Sequence, residues 1–135
     1  MSFSLDSHCL VAISSRRSPH LTGRLQQVRL RGHVIHVSSL VVFELRYGAF
    51  GSTDPSSTNA RIDRLLGTQF ARLDFDDDDA REAGDIRAAL KKTGKPIGPY
   101  DVLIAGQARR RGLTLVTANV REFKRVRGLK VENWL

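Results

Sequence analysis

Short apolar runs alternate along the chain with longer segments of helical periodicity. Strand-like runs bounded by turn residues are found at 3–5, 33–37, 71–75, 113–117 and 131–135. Apolar residues recur every three or four positions, as in helices with one buried face, over 21–30, 39–49, 58–67, 77–92 and 99–111. The segment 51–59, GSTDPSSTN, is rich in turn-forming residues and is predicted to be a mobile loop.

This alternation of strands and helices predicts an α/β fold. Strand–helix–strand units form parallel sheets with right-handed crossovers, so we expect a parallel sheet covered by helices. With 135 residues, the chain has the usual length of one domain, and we expect residues 1–135 to form a single domain with one functional site.

Composition narrows the class of protein. The longest apolar runs, such as 9–13 and 40–43, are far too short to span a bilayer, so no membrane association is expected. Cys9 is the only cysteine and the N-terminus lacks the pattern of an export signal, which favours the cytoplasm. The net charge of +8 favours polyanionic partners.

Three acidic residues are predicted to meet at one edge of the sheet. Asp6 directly follows the first strand, and Glu44 shares a stripe with Leu40 and Tyr47 on the helix after the second strand. Asp101 comes just after Gly98 and Pro99, which start a later helix. Crossover helices begin at the carboxyl ends of parallel strands, where ligands of such sheets bind.

Each acid also has a simpler explanation. Asp101 would be favourable in the first turn of any helix, Asp6 could turn the chain after a strand, and Glu44 could pair with an arginine. Three converging carboxylates are costly unless a cation lies among them, which favours a metal site. Oxygen ligands without a cysteine or histidine cluster suit Mg²⁺ or Mn²⁺ better than zinc. Asn119 and Glu122 follow the fourth strand and would close the fourth side of this pocket.

Several segments resemble the PIN-domain ribonucleases of the VapC toxin type, from type II toxin–antitoxin systems. The resemblance covers nearly the whole chain and is carried by LDSHCLVAI (5–13), SSLVVFELRYGA (38–49), IRAALKKTGKPIGPYDVLIAGQARRRGLTLVTANVREFKRV (86–126) and GLKVENW (128–134). Its most specific segments are ELRYG, IGPYD and NVREF, in this order and spacing.

The resemblance implies a three-layer α/β/α fold with a central parallel sheet of four to five strands. It further implies cleavage of RNA, with tRNA or rRNA as the expected substrate, dependent on Mg²⁺ or Mn²⁺, in a homodimer inhibited by a VapB-type antitoxin. Asp6, Glu44 and Asp101 match the first three acids of the family. Many PIN domains have a fourth acid where this chain has Asn119, so Glu122 is expected to supply that charge, and His8 replaces the asparagine that is frequent in the first motif. Asn119 and Glu122 would then position a second ion or the attacking water.

Basic and acidic runs elsewhere in the chain have their own interpretations. The residues expected to contact RNA phosphates are those that directly follow the predicted site, namely Arg121, Lys124, Arg125 and Arg127. Arginines 109–111 are interpreted as a solvated helix end, with RNA contact as the alternative. The acidic run 76–79 lacks the spacing of a calcium loop and is predicted to cap a helix.

Two other functions compete with a nuclease. Phosphoryl transfer to an aspartate is disfavoured, because the first motif lacks the second acid used by such phosphatases and no lysine ends a candidate strand. A catalytically weak RNA-binding or regulatory module on a PIN scaffold is the stronger alternative, given His8 and Asn119. Metal-dependent cleavage would separate it from a nuclease.

Overall fold

The computed structural model of the protein describes residues 2–67 and 70–135. Five strands are present in this part of the chain: β1 (Ser2–Leu5), β2 (Val34–Ser38), β3 (Ala71–Leu73), β4 (Thr114–Val116) and β5 (Lys130–Glu132). The helices found there are α1 (Ser7–Ser14), α2 (Pro19–Leu30), α3 (Ser39–Phe50), α4 (Pro55–Leu66), α5 (Asp77–Thr93), α6 (Pro99–Arg110) and α7 (Val120–Phe123). Within those residues no helix has both the length and the apolar character needed to cross a membrane.

The five strands form one parallel sheet in the order β3-β2-β1-β4-β5. β1 lies at its centre and pairs with β2 on one side and with β4 on the other, where Phe3 is in register with Thr114. The helices form a layer on each face, and the predicted three-layer α/β/α fold with a parallel sheet is confirmed.

The hydrophobic core surrounds the central strands, because parallel strands covered on both faces must be apolar throughout. Leu5, Val37 and Leu115 are fully buried. Trp134 packs against Phe3, with ring centroids 5.0 Å apart, and thereby closes one end of the sheet. Helix α2 contributes Leu21, Leu25 and Val28 to the core, as their spacing predicts.

The structure corrects the sequence prediction at two helices. Residues 55–59, predicted to belong to a mobile loop, are the first turns of α4, because Asp54 accepts a hydrogen bond from the N–H of Ser57 and Pro55 has a helical φ. Helix α1 was not predicted. It is only eight residues long and packs against α2, α3 and α4, so its apolar residues show no clear helical period.

The basic end of α6 forms ion pairs with acids of α5. Arg109 contacts Glu82 and Asp85, at 2.6 and 2.9 Å, whereas Arg110 and Arg111 both contact the fully buried carboxylate of Asp79, at 2.8 and 3.0 Å. These arginines are therefore bound to acids of α5 and do not form a freely solvated helix end, whereas RNA contact by them stays an alternative prediction. The predicted capping is confirmed, because Asp76 and Asp79 form a reciprocal capping box at the start of α5.

Helices α5 and α6 approach each other most closely at Gly106. A Cβ atom at this position would lie 2.7 Å from the N, Cα and Cβ atoms of Ala83. Backbone atoms cannot move aside without shifting a whole helix, so glycine is required here for steric reasons.

Gly106→Ala is expected to lower the free energy of unfolding by about 1–3 kcal/mol or more, because it overpacks this contact. Gly84→Ala is the matched control, since a Cβ there would meet nothing within 4 Å and alanine is the better helix former by about 1 kcal/mol. Chemical denaturation of both variants measures the difference. Equal stability of the two would show that the helices can separate at little cost.

Candidate active site

The strand order creates a place for a site between β1 and β4. From the central strand β1, the next two strands of the chain, β2 and β3, are added on one side of the sheet. The last two strands, β4 and β5, are added on the other side. In open parallel sheets such a reversal leaves a crevice at the carboxyl ends of the two strands where the order diverges. Asp6 follows β1 and Thr117 follows β4, so both lie at this crevice.

Asp6 is held in one orientation by its neighbours. Its side chain is the N-cap of α1 and accepts a 3.0 Å hydrogen bond from the backbone N–H of Cys9. The other carboxylate oxygen accepts a short hydrogen bond from the hydroxyl of Thr117. The residue is only 7% exposed, so this carboxylate is both buried and fixed.

Glu44 faces the same crevice from the second turn of α3. Burial raises the pKa of its carboxyl, and the negative charges of Asp101 and Asp6 raise it further, whereas His8 acts in the opposite direction. These interactions show that the three acids predicted from the sequence are close enough to repel one another.

Asp101 approaches from the first turn of α6. Burial raises the pKa of its carboxyl, and Glu122 and Asp6 raise it further through their charges; a hydrogen bond with Glu122 acts in the same direction. The Asp101 side chain folds back over the N-cap, where a Cβ on Gly98 would lie 3.1 Å from its Oδ2. Gly98 therefore leaves room for this orientation.

The segment after β4 closes the pocket. Thr117 bonds to Asp6, and its Oγ1 accepts a 3.0 Å hydrogen bond from the N–H of Asn119. The Asn119 side-chain amide donates to Glu122 at 2.7 Å. Asn119 thus orients Glu122, and Glu122 in turn faces Asp101.

The structure brings all five predicted site residues, Asp6, Glu44, Asp101, Asn119 and Glu122, to one edge of the sheet. Sequence reasoning gave too little weight to two neighbours, Thr117, which orients Asp6, and His8, whose charge acts on Glu44 and Asp101. Their positions, directly after β4 and within the first turn after β1, place both residues at this edge, but their contacts depend on side-chain orientation.

The donor set fits a hard divalent cation. The converging groups offer carboxylate oxygens, which are the ligands that hard divalent cations prefer. The pKa values of Glu44 and Asp101 are raised by burial first and by neighbouring carboxylates second. Among residues 2–67 and 70–135, no three His, Cys, Asp or Glu side chains are arranged as a ready-made metal site. The acids at this edge would therefore have to reorient to bind one ion together.

Exposed basic residues follow the pocket along the chain. Arg121, Lys124, Arg125 and Arg127 are all exposed, as contact with RNA requires. The Arg125 guanidinium donates to the carbonyl of Pro96 at 3.1 Å and so links this segment to the loop before α6.

Comparison with known proteins identifies the family to which the chain belongs. The PIN domain family profile matches residues 4–129. The chain is 36% identical to the tRNA(fMet)-specific endonuclease VapC of Salmonella typhimurium, over 99% of this chain and 98% of that protein. It is 46% identical to the protein of the same name from Shigella flexneri, over 73% of this chain and 74% of that protein.

Solved structures agree with the sequence comparison. The toxin–antitoxin complex VapBC2 of Rickettsia felis, bound to a DNA fragment from its promoter, contains a chain with a TM-score of 0.93 and 30% identity, each chain covered completely. Fold, acidic pocket and sequence therefore lead to the same conclusion: this chain belongs to the PIN domain family and, within it, to the VapC ribonucleases.

Proposed function

We propose that this protein is the toxin of a VapBC-type pair and hydrolyses phosphodiester bonds of RNA at the pocket between β1 and β4, with a bound Mg²⁺ or Mn²⁺. The observation that supports the proposal is that Asp6, Glu44, Asp101 and Glu122 lie at one edge of the sheet, where burial and then the charges of neighbouring carboxylates raise the pKa of Glu44 and of Asp101. A divalent ion would remove that repulsion.

Each residue has a distinct part in this proposal. Asp6, Glu44 and Asp101 would hold the ion, whose chemistry when bound is to activate water near neutral pH and to offset charge on the phosphate. Thr117 and the Cys9 N–H fix the Asp6 carboxylate, so its orientation is set before any ligand arrives. Asn119 holds Glu122 beside Asp101, where the pair would position the attacking water or a second ion.

The substrate is proposed to be RNA, with tRNA as the leading candidate because two relatives are named as tRNA(fMet)-specific endonucleases. Cleavage of total tRNA and of rRNA by antitoxin-free protein, with Mg²⁺, Mn²⁺ or EDTA, tests the proposal. Discrete products that need metal are expected. Intact RNA under all conditions, from folded protein that still binds it, would instead indicate a non-catalytic RNA-binding module.

The exposed basic segment after the pocket is proposed to contact RNA phosphates. Lys124→Ala is expected to reduce the slope of log affinity against log salt concentration by about one, as the loss of one phosphate contact does. Arg31→Ala is the control, because Arg31 ends α2 just before β2 starts and so lies at the opposite edge of the sheet. Equal slopes for both variants would argue against this surface.

A VapB-type antitoxin is the proposed partner, since several similar structures are VapBC complexes. A groove of about 310 Å³ between α1, α3 and α4 offers a mainly apolar surface for a helix, lined by Leu10, Leu45, Ala49, Ile62 and others, with Glu44 at its margin. An antitoxin segment there would reach the acids and stop cleavage. Inhibition of cleavage by added VapB-type protein would test this.

The assembly and location of the protein are part of the same proposal. Residues 1–135 are proposed to act as a single PIN domain, in a homodimer, in the cytoplasm. Light scattering on the purified toxin measures the oligomeric state, and a monomeric mass at micromolar concentration would contradict the dimer.

A further inference from the structure

The side chain of His8 stands apart from the acids beside it, because nothing holds it in place. His8 is exposed in the first turn of α1. Within residues 2–67 and 70–135, its ring forms no hydrogen bond and no ion pair. The carboxylate of Asp6, two residues earlier, is instead fixed by Thr117 and by the Cys9 N–H. The imidazole of His8 can therefore turn toward a ligand without breaking a bond.

The fold places His8 near the three acids that are proposed to hold the ion. His8 lines the same groove as Glu44, and its charge acts on the carboxyl groups of both Glu44 and Asp101. Glu44 belongs to α3 and Asp101 to α6, whereas Asp6 lies directly before α1. Elements from three parts of the chain therefore bring one imidazole and three carboxylates to the same edge of the sheet.

An ion held by three carboxylates alone would keep open positions in its coordination shell. Mg²⁺ and Mn²⁺ prefer octahedral coordination, so one oxygen from each acid fills only half of the shell. The acids would also have to reorient to bind one ion together. A side chain that is free to turn can take one of the open positions more readily than a fixed one.

We propose that His8 supplies a nitrogen ligand to the ion at this pocket and makes the site favour Mn²⁺ and later transition-metal ions over Mg²⁺. The inference rests on the proposed function, because it takes the acids as the metal site. Imidazole suits transition metals, whereas Mg²⁺ takes oxygen ligands and keeps several waters. Asparagine, which is frequent at this position in the family, offers an amide oxygen instead. The histidine of this chain therefore changes the choice of ion.

His20 supplies a matched control for an exposed histidine without acids around it. It is the second residue of α2, as His8 is the second residue of α1, and it is also exposed. It does not line the groove that contains Glu44, and its charge is not among those that act on Glu44 or Asp101. Any effect on ion binding that both histidines share is therefore unrelated to the pocket.

The test measures ion affinities of metal-free, antitoxin-free protein. Co²⁺ and Mn²⁺ are titrated directly by calorimetry, and Mg²⁺ is measured by competition with Mn²⁺. His8→Asn should lose at least about tenfold in Co²⁺ affinity, because one ligand bond is removed, and should change its Mg²⁺ affinity by less than about twofold. The loss in Mn²⁺ affinity should lie between these values. His20→Asn should bind all three ions like the wild type.

A spectroscopic signature separates direct ligation from an indirect effect. Co²⁺ is paramagnetic, so an imidazole bound to it shows strongly shifted ring-proton resonances in the NMR spectrum. Wild type and His20→Asn are expected to show these resonances with Co²⁺, and His8→Asn is expected to lack them. Both variants should keep the fold of the wild type by circular dichroism, since both positions are exposed.

Several results would overturn the inference. These are absent Co²⁺ binding by the wild type, equal Co²⁺ affinity of wild type and His8→Asn, shifted resonances that persist in His8→Asn, or an equal loss in His20→Asn. A fall in Mg²⁺ affinity as large as that in Co²⁺ affinity would also overturn it, because His8 would then support the acids without selecting the ion. Failure of the proposed function is recognised separately, since RNA would then remain uncut by the wild type in Mg²⁺ and Mn²⁺ whatever its preference among ions.

Discussion

Asp101→Asn is expected to lose RNA cleavage by at least about 100-fold, while the metal-free protein becomes more stable than the wild type. The loss follows from the proposed role of Asp101 in holding the ion, whose stabilisation of the transition state amounts to several kcal/mol. The gain follows from the raised pKa of this carboxyl, which shows that its charge is unfavourable in the folded state. Cleavage assays and thermal unfolding in EDTA measure the two effects.

The pH dependence has a definite sign. The pKa values of Asp101 and Glu44 are raised by folding, so the stability linked to these groups is present below their unfolded values, near 4, and is lost as pH rises through the folded values. The difference in stability between Asp101→Asn and wild type should therefore be small in acid and grow toward neutral pH.

Metal addition gives a second measurement that does not need activity. Mn²⁺ should raise the melting temperature of the wild type, because a ligand that binds only the folded state stabilises it, and should raise that of Asp101→Asn much less. Asp78→Asn is the control, since Asp78 is an exposed acid in the first turn of α5. Full cleavage by Asp101→Asn would refute the assignment of Asp101.

Asp79→Asn is expected to destabilise the protein by about 3–5 kcal/mol, because it removes one partner from a buried group of charges. The Asp79 side chain is 0% exposed and accepts hydrogen bonds from Arg110, Arg111 and the N–H of Asp76. The variant would leave two guanidinium groups without their common buried anion. Asp78→Asn should change the stability by less than about 0.5 kcal/mol.

The wild type is expected to lose stability in acid partly because Asp79 becomes protonated. Burial alone would raise the pKa of Asp79, but hydrogen bonds from Arg111, the Asp76 N–H and Arg110 outweigh it and hold the pKa well below its usual range. The stability that Asp79 provides is therefore present above its unfolded pKa, near 3.9, and is lost as pH falls toward the lower folded value. Denaturation at several pH values measures it, and a constant difference between wild type and Asp79→Asn down to pH 2 would contradict the assignment.

Local sequence determined most of the elements. The five strand segments and five of the helices were predictable because their apolar residues repeat at the periods of buried strands and helices, and because proline and aspartate mark helix starts. The two helices at 7–14 and 120–123 are short, and short helices derive their stability from packing that a periodicity does not express. Residues 55–59 show the reverse error, since Asp54 and Pro55 begin a helix in a segment that also favours turns.

The acids of the pocket were predictable for a topological reason. A residue that follows a parallel strand, or begins a crossover helix, lies at the carboxyl edge whatever the details of packing. That argument locates Asp6 and Asp101 without coordinates. It says nothing about the Thr117 hydroxyl that fixes Asp6, or about the amide of Asn119 that holds Glu122, because those contacts depend on side-chain orientation.

The sequence by itself determined the α/β class, the edge at which the acids meet and the family to which the chain belongs, since these depend on order, period and motif. Only the tertiary structure decided the partners of the charged and aromatic side chains. Arg110 and Arg111, for which the sequence left RNA contact as an alternative, form ion pairs with the buried carboxylate of Asp79. The rings of Phe43 and Tyr100, which are 57 residues apart in the sequence, pack against each other beside Glu44. The physical reason is that contacts between residues distant in sequence arise from the packing of whole helices, which no local pattern encodes.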